Sequence, residues 1–292
     1  MVQNIRQNAT RNLKVAFVGI ILLLAAVYFV VPLVWIIIAS MKDTNSLLST
    51  GILQIPRKIV LIHNLSFLSH FQHSIYWRWY ANSIIYSAGV GLLTCLVSAM
   101  CAYPLAKHVF RGKESIFRLI VASLMIPGTV IAVPLFMLEK QMGLVDSYFG
   151  IILPMAVSPF GVYFLRIYIR DVVPDEIIDS AMMEGANQWT TFWAIVVPMI
   201  RPALSTLLLI SFTTTWNNFF LPLVLLHDPN LYPLTLGIQT WLSVINSIQA
   251  SEAPWYPLII TGCLLSILPM VIAFVFLRNA IVRGLIEGGI KM

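Results

Sequence analysis

A chain of 292 residues in which 59% of side chains are apolar and only 10% charged has too little polar surface to cover a soluble domain. With a mean hydropathy of +0.87 and apolar blocks of about twenty residues, it is a polytopic membrane protein, which excludes a cytosolic enzyme, a disulfide-stapled secreted domain and an ordinary nucleic-acid binder. The formal charge of +6 reflects the basic residues that membrane proteins collect on one side of the bilayer, so it does not call for an acidic partner.

At the start, Arg6, Arg11 and Lys14 precede an apolar run over 15–40. That run outlasts the roughly 7–15-residue core of a secretory signal and predicts a retained first helix. Five more runs follow at about 80–106, 119–138, 148–165, 203–226 and 256–277, none containing Asp, Glu, Lys, Arg or His. The expectation is an all-α fold with six transmembrane helices in one domain over residues 1–292. Placing the N-terminus in the cytoplasm puts Arg6, Arg11, Lys14, Lys107, Arg111, Lys113, Arg118, Arg166, Arg170, Arg201, Arg278, Arg283 and Lys291 on that side. Only Lys42, Arg57, Lys58, Arg78 and Lys140 fall on the other, so both termini are expected to be cytoplasmic. Cys95, Cys101 and Cys263 lie within apolar segments and read as packing residues, with no disulfide or metal framework.

The stretch 166–202 is too polar at its start to span and too periodic to be a plain loop. Asp175 and Glu176 after Pro174 suit the positive end of a helix that continues through Ile177, Ile178, Ala181 and Met182. Gly185 stands where a helix ends in a left-handed conformation. Asn187 is placed to cap a second helix carrying Trp189, Phe192, Trp193 and Val196, which Pro198 is expected to end. On pattern alone this is either an amphipathic linker at the interface or a docking element. Asp171, Asp175, Glu176, Asp179 and Glu184 have no basic residue among them. They form either a solvated acidic face or a surface for a basic partner.

Further along, Ser211, Thr213, Thr214, Thr215, Trp216, Asn217 and Asn218 put a polar run into the fifth span. Such groups need partners in lipid, and the run is either interhelical glue or the lining of a polar pathway. Trp77, Trp79, Trp241 and Trp255 flank the far ends of the spans and read as a headgroup belt. Prolines 127, 134, 154, 159, 222 and 269 lie in or at the ends of helices, where they kink them. Gly284, Gly288 and Gly289 argue against a plain helix in the tail 283–292.

Several motifs in order resemble one family. Asp179-Ser180-Ala181, Gly185 and the sequence Ile195-Val196-Val197-Pro198 resemble the cytoplasmic loop motif of ABC importer permeases, as do Val172-Val173-Pro174-Asp175-Glu176 and Glu184-Gly185-Ala186 for the carbohydrate (maltose-permease-like) branch. Asn82-Ser83, Ala102-Tyr103-Pro104-Leu105-Ala106, Trp216-Asn217-Asn218-Phe219 and Arg283-Gly284-Leu285 are similar to the same branch, so the likeness covers residue 80 to the end. Asp179-Ser180 replaces the usual Glu-Ala, and Asn218 stands where an acid is common.

The resemblance implies a type I ABC importer transmembrane subunit in the inner (cytoplasmic) membrane of a bacterium or archaeon. Residues 171–198 would be its coupling loop, with Glu176, Asp179, Ser180, Ala181, Glu184, Gly185, Ala186 and Pro198 meeting the ATPase. Thr214, Thr215, Trp216, Asn217 and Asn218 would be pathway candidates, and Arg283 and Gly284 tail contacts to the ATPase pair. The implied partners are a second, homologous permease, two ATP-binding subunits that hold ATP and Mg, an extracytoplasmic solute-binding protein and a sugar, with no cofactor on this chain. The connection 227–255, with Asp228 and Glu252, either reaches into the binding protein or simply joins two spans.

The residues themselves limit the energy source. A G-x-x-x-x-G-K-[ST] loop is absent, Gly112-Lys113 being an isolated pair, and no zinc motif occurs. Without an ionisable residue in any predicted span, a proton relay is missing. The alternatives are a standalone channel or facilitator, a structural subunit of another complex, or an ABC permease for a non-sugar solute.

Overall fold

In the computed structural model, the backbone is described for residues 2–245 and 254–289, and side chains for 15–245 and 254–276. Among these residues every regular element is helical. The chain divides into two compact units, residues 1–71 with 241–265 and residues 72–240 with 266–292.

The first unit contains α1 (Val2–Ser40), α2 (Thr44–Ser49) and α3 (Leu61–His70). The run Val15–Ser40 is apolar enough to cross a membrane and buries none of its most apolar window inside the protein. Such a helix needs lipid or another chain around it. After it, the turn is tied down by polar groups that the chain itself buries. Lys42 Nζ donates to the Gly51 carbonyl at 2.9 Å, and Asn64 Nδ2 donates to the carbonyls of Ser40 and Lys42. Asp43 caps α2 through Ser46, and that hydroxyl and amide hold its carboxyl below the usual carboxylate range.

The second unit is built on α4 (Ile75–Lys107), an unbroken helix of 33 residues. The helices that pack around it are interrupted. Following it are α5 (Lys113–Ser123) and α6 (Gly128–Met142), bent by 102°, then α7 (Tyr148–Ala156) and α8 (Pro159–Val172), bent by 41°. Next come α9 (Asp175–Met183), α10 (Gln188–Met199) and α11 (Arg201–Trp216), the last two bent by 77°. Short α12 (Phe220–Leu225) and a 3-10 turn at Pro229–Leu231 follow, while α13 (Leu234–Ile245) and α14 (Trp255–Gly289) each contribute residues to both units.

Among the described residues, three unbroken helices, Val15–Ser40, Ile75–Lys107 and Trp255–Phe276, are long and apolar enough to cross a membrane, or up to six if each bent pair counts as one span. The uniform runs expected at 119–138, 148–165 and 203–226 are each interrupted. Proline marks two of these breaks, Pro127 preceding α6 and Pro159 in the first turn of α8, whereas the run 203–226 breaks after Trp216, at Asn217–Phe219. A helix start loses nothing through the missing N–H. Hydropathy sums cannot see such breaks, because proline and its neighbours here are apolar.

Where α4 meets α8 and α11, small residues let backbones approach. A Cβ on Gly91 would lie 2.9 Å from Leu208, and one on Gly161 would run into the Ser98 hydroxyl. With lipid tails as apolar as the core, this close packing rather than water exclusion holds membrane helices together. One buried cluster joins Ala102, Tyr103, Leu165, Ile169, Ile178, Phe192, Val196 and Ile200 at the Lys107 end of α4. Another joins Tyr86, Ile151, Leu225 and Leu226 nearer its start.

Two expectations are corrected. Trp79 and Trp241 are only 3% and 2% exposed, so they are core residues and not headgroup anchors; Trp77 remains exposed. The tail glycines do not end the last helix, which continues to Gly289. Glycine costs about 1 kcal/mol per position, and extending a helix already nucleated over several turns tolerates that. Glu252 and Lys291 lie outside the described residues.

Candidate functional site

The segment between α8 and α11 forms two helices meeting at a corner. In α9, Asp175 and Glu176 occupy the first turn after Pro174, where unpaired amides favour carboxylates. It ends in a Schellman pattern. Ala186 N–H donates to the Ala181 carbonyl and Gly185 N–H to that of Met182, both at 3.0 Å, with Gly185 at φ +90°. Asn187 then caps α10, its side chain accepting from the Thr190 amide at 2.8 Å. Pro198 does not end that helix. The turn over Phe192–Val196 widens to a π-helix, in which Val197 N–H reaches Phe192, and α10 runs on to Met199. Widening accommodates a proline that would otherwise crowd the preceding turn.

Only part of the predicted apolar face is used internally. Ile178, Phe192 and Val196 are buried, whereas Ile177, Met182, Met183, Trp189 and Trp193 are exposed. Glu176, Asp179, Ser180, Glu184 and Gly185 are exposed as well, and Ser180 Oγ turns back onto the Glu176 carbonyl at 2.7 Å. Nothing lies within 4 Å of the place where a Gly185 Cβ would be. The corner is thus an open, mixed acidic and apolar surface.

Not every acid is on offer. Lys107 Nζ pairs with Asp175 at 2.8 Å, from a stem only 6% exposed, and Asp171 sits 3.4 Å from Arg170. The Gln188 side-chain Oε1 is met by His108 Nε2 at 2.8 Å and accepts from Tyr103 Oη at 3.3 Å. The end of α4 therefore holds the first residue of both α9 and α10. Spacing along the chain carried no signal for these pairs, since 68 and 80 residues separate Lys107 from Asp175 and His108 from Gln188.

The polar run of the fifth span divides into two roles. Thr214 and Thr215, with Ser211, line a cavity of about 350 Å³ together with Val90, Met155, Ser158, Phe160 and Ile210. Trp216 is buried, packed edge-on to Tyr80 and stacked on Phe212. Asn217 and Asn218 are where the helix stops. Asn217 Nδ2 donates to the Thr213 carbonyl at 2.9 Å, while Asn218 Oδ1 accepts from Leu221 N–H at 3.2 Å and so starts α12. The cavity wall from Met155, Ser158 and Phe160 comes from the α7–α8 break, which hydropathy had hidden.

At the start of α4, five side chains stitch the connection after α12. Arg78 Nε donates to the Asn230 carbonyl at 3.0 Å, and Trp79 Nε1 to that of Pro229 at 2.8 Å. Asn82 Nδ2 donates to the carbonyls of Asn230 and Tyr232, and Tyr86 Oη to that of Leu231 at 2.9 Å. Ser83 Oγ accepts the Leu234 amide at 2.7 Å. From the opposite side, Asp146, itself at φ +56°, accepts from the His227 and Asp228 amides. Burial pushes its carboxyl up, but those two amides and the nearby His227 ring outweigh it and leave the pKa below the usual carboxylate value.

Among the described residues no group of three or more His, Cys, Asp or Glu could hold a metal ion, and Cys95, Cys101 and Cys263 are free thiols. Among the described residues the chain is all-helical, with interrupted apolar spans, an exposed two-helix corner and a largely apolar cavity into which a few hydroxyl residues are set. Residues 94–287 match the family described as binding-protein-dependent transport system inner membrane component, and the chain belongs to that family. The motif resemblance is thereby upheld, and the chain is a membrane transport component, not an enzyme.

Among relatives, the arabinooligosaccharides transport system permease protein AraQ of Bacillus subtilis is 33% identical, covering 92% of this chain and 93% of its own length. The lactose transport system permease protein LacG of Rhizobium radiobacter is 27% identical over 93% of this chain and 94% of its own. The same fold occurs in a bacterial ABC transporter involved in import of the acidic polysaccharide alginate. It superposes with a TM-score of 0.79 at 22% identity, covering 90% of this chain and 95% of that one.

Proposed function

We propose that this chain is the permease subunit of an ATP-driven, binding-protein-dependent importer of carbohydrate, whether monosaccharide, oligosaccharide or polyol. The observation that carries the substrate class is the 33% identity, over nearly the full length of both chains, to a permease named for arabinooligosaccharides. The cavity supports it. Ser211 and Thr214 beside Phe160 and Met155 suit a sugar, which offers hydroxyls at its edge and C–H bonds on its faces, while the Thr215 and Ser158 hydroxyls are engaged with the Ser211 carbonyl and the Gly161 amide.

In this reading both termini face the cytoplasm and residues 171–198 are the coupling loop. ATP and Mg bind to two partner ATPase subunits, and a second, homologous permease completes the pathway. An extracytoplasmic binding protein delivers the solute. Exposed Glu176, Asp179 and Glu184 beside Ile177, Met182, Met183 and Trp189 suit a cleft with an apolar floor and a basic rim. Closure of the ATPase pair would then carry residues 176–186 as a lever and switch access from one side to the other. Arg283 and Gly284 lie on the last helix, and in this reading the tail adds an ATPase contact.

The test is ATP hydrolysis in proteoliposomes that hold this chain with its neighbouring permease, ATPase and binding protein. Binding protein loaded with one saccharide of a panel should stimulate hydrolysis. Solute flux through this chain alone, without nucleotide, would replace the importer with a facilitator.

A further inference from the structure

We propose that α4 is the strut that links the two functional ends of this subunit. Lys107, Tyr103 and His108 hold the coupling loop, while Trp79, Asn82, Ser83 and Tyr86 hold the connection 229–234. The inference rests on the importer reading above and adds the residues through which one end would inform the other.

Three observations carry it. First, α4 is continuous from Ile75 to Lys107, whereas the bent pairs around it break by 41° to 102°. Its only internal proline, Pro104, lies in the last turn, and that turn is closed by His108 N–H donating to the Pro104 carbonyl at 3.1 Å. At 1.5 Å per residue, Arg78 and Lys107 are about 44 Å apart, more than the hydrocarbon thickness of a bilayer. Displacement at one end of an unbroken helix is delivered to the other; in a broken one it is absorbed at the break.

Second, the grips at the Lys107 end are placed at the starts of both loop helices. Lys107 pairs with Asp175, the first residue of α9, and also reaches the Arg170 carbonyl at 3.5 Å. His108 and Tyr103 meet Gln188, the first residue of α10. The loop's two helices are therefore fastened to α4 on either side of the open Gly185 corner. Burial of the Lys107 stem keeps the ion pair from being a fully solvated and negligible one.

Third, the grips at the other end go to backbone. Four carbonyls, of Pro229, Asn230, Leu231 and Tyr232, and the Leu234 amide are met by side chains of α4. Contacts of that kind fix the path of the connection itself, whatever side chains it presents to a partner. Trp79, Ser83 and Tyr86 are fully or nearly fully buried, so the α4 side of these bonds is shielded from water.

The assembled importer in proteoliposomes tests this through the ratio of hydrolysis with and without saccharide-loaded binding protein. Lys107→Glu should lower that ratio at least fivefold, and adding Asp175→Lys should return it to within twofold of the unaltered complex. Tyr86→Phe, which keeps the ring but drops the bond to Leu231, should lower it about threefold from the opposite end. Lys107→Met stands in if Lys107→Glu does not assemble. An unaltered complex that is stimulated, with Lys107 and Tyr86 variants stimulated equally, overturns the strut and leaves the importer standing; so does a Lys107→Glu loss that Asp175→Lys fails to repair. If no loaded binding protein stimulates the unaltered complex, the importer reading falls and the strut with it.

Discussion

Gly185 and Gly237 both disfavour a larger side chain, but for opposite reasons. At Gly185 the surroundings are empty and the constraint is the backbone, at φ +90°. Gly185→Val should therefore leave the subunit inserted and folded, strain the corner by about 1–2 kcal/mol, and abolish saccharide-stimulated hydrolysis by misplacing α9. Intact stimulation in that variant would remove the corner from the coupling path. At Gly237 the backbone is ordinary helix, and a Cβ would fall inside the buried Trp79 indole. Gly237→Ala should lower the melting temperature of the detergent-solubilised protein, at a cost of about 1–3 kcal/mol from overpacking. Pairing it with Trp79→Leu should recover part of that loss.

Asp146 acts at the same scale. Its folded pKa lies below the ordinary carboxylate value because amides of His227 and Asp228 bond the charged form. A depressed folded pKa means that its stabilisation is complete above the unfolded value of about 3.9 and is lost as pH falls through the folded one. Hydrogen-exchange protection of the His227 and Asp228 amides should therefore hold from neutral pH down to about pH 4 and collapse below it. In Asp146→Ala that protection should be absent at every pH.

At the scale of elements, hydropathy located the apolar runs but not where helices stop. The segment 203–226 reads as one span, yet α11 ends at Trp216 because Asn217 and Asn218 spend their amides on the flanking backbone. Local competition of this kind is invisible to an averaged window. Residues 171–198 were far more legible: Asp175, Gly185 and Asn187 announce a helix start, a left-handed stop and a second cap, and each is found in that role. Pro198 misleads because a π turn before it absorbs the misfit. The seam from Arg78 to Tyr86 did carry a signal, polar and aromatic residues at helical spacing, but not the identity of its partner some 150 residues away.

At the scale of the whole molecule, sidedness follows from where basic residues collect. In a cysteine-free background, Ser180→Cys should react with a membrane-impermeant maleimide only after the membrane is opened, and Asn45→Cys should react in intact cells. The reverse pattern would invert the topology. The exposed apolar surface of Val15–Ser40 belongs to the same scale, since a helix with no buried face in its own chain is completed by lipid or by a neighbouring subunit.

The amino-acid sequence by itself determined the solvent, the helical class and the loop with its two capped helices. These depend on composition and on spacings within a few residues, where local physical rules apply. The tertiary structure decided which of those residues meet: that Thr214 and Thr215 share a cavity with Met155 and Phe160 while Trp216 is packed away, and that one helix carries grips for two distant connections. Those outcomes depend on contacts across tens to hundreds of residues, and in a bilayer, where apolar surface alone does not choose between neighbours, close packing and hydrogen bonds make the choice.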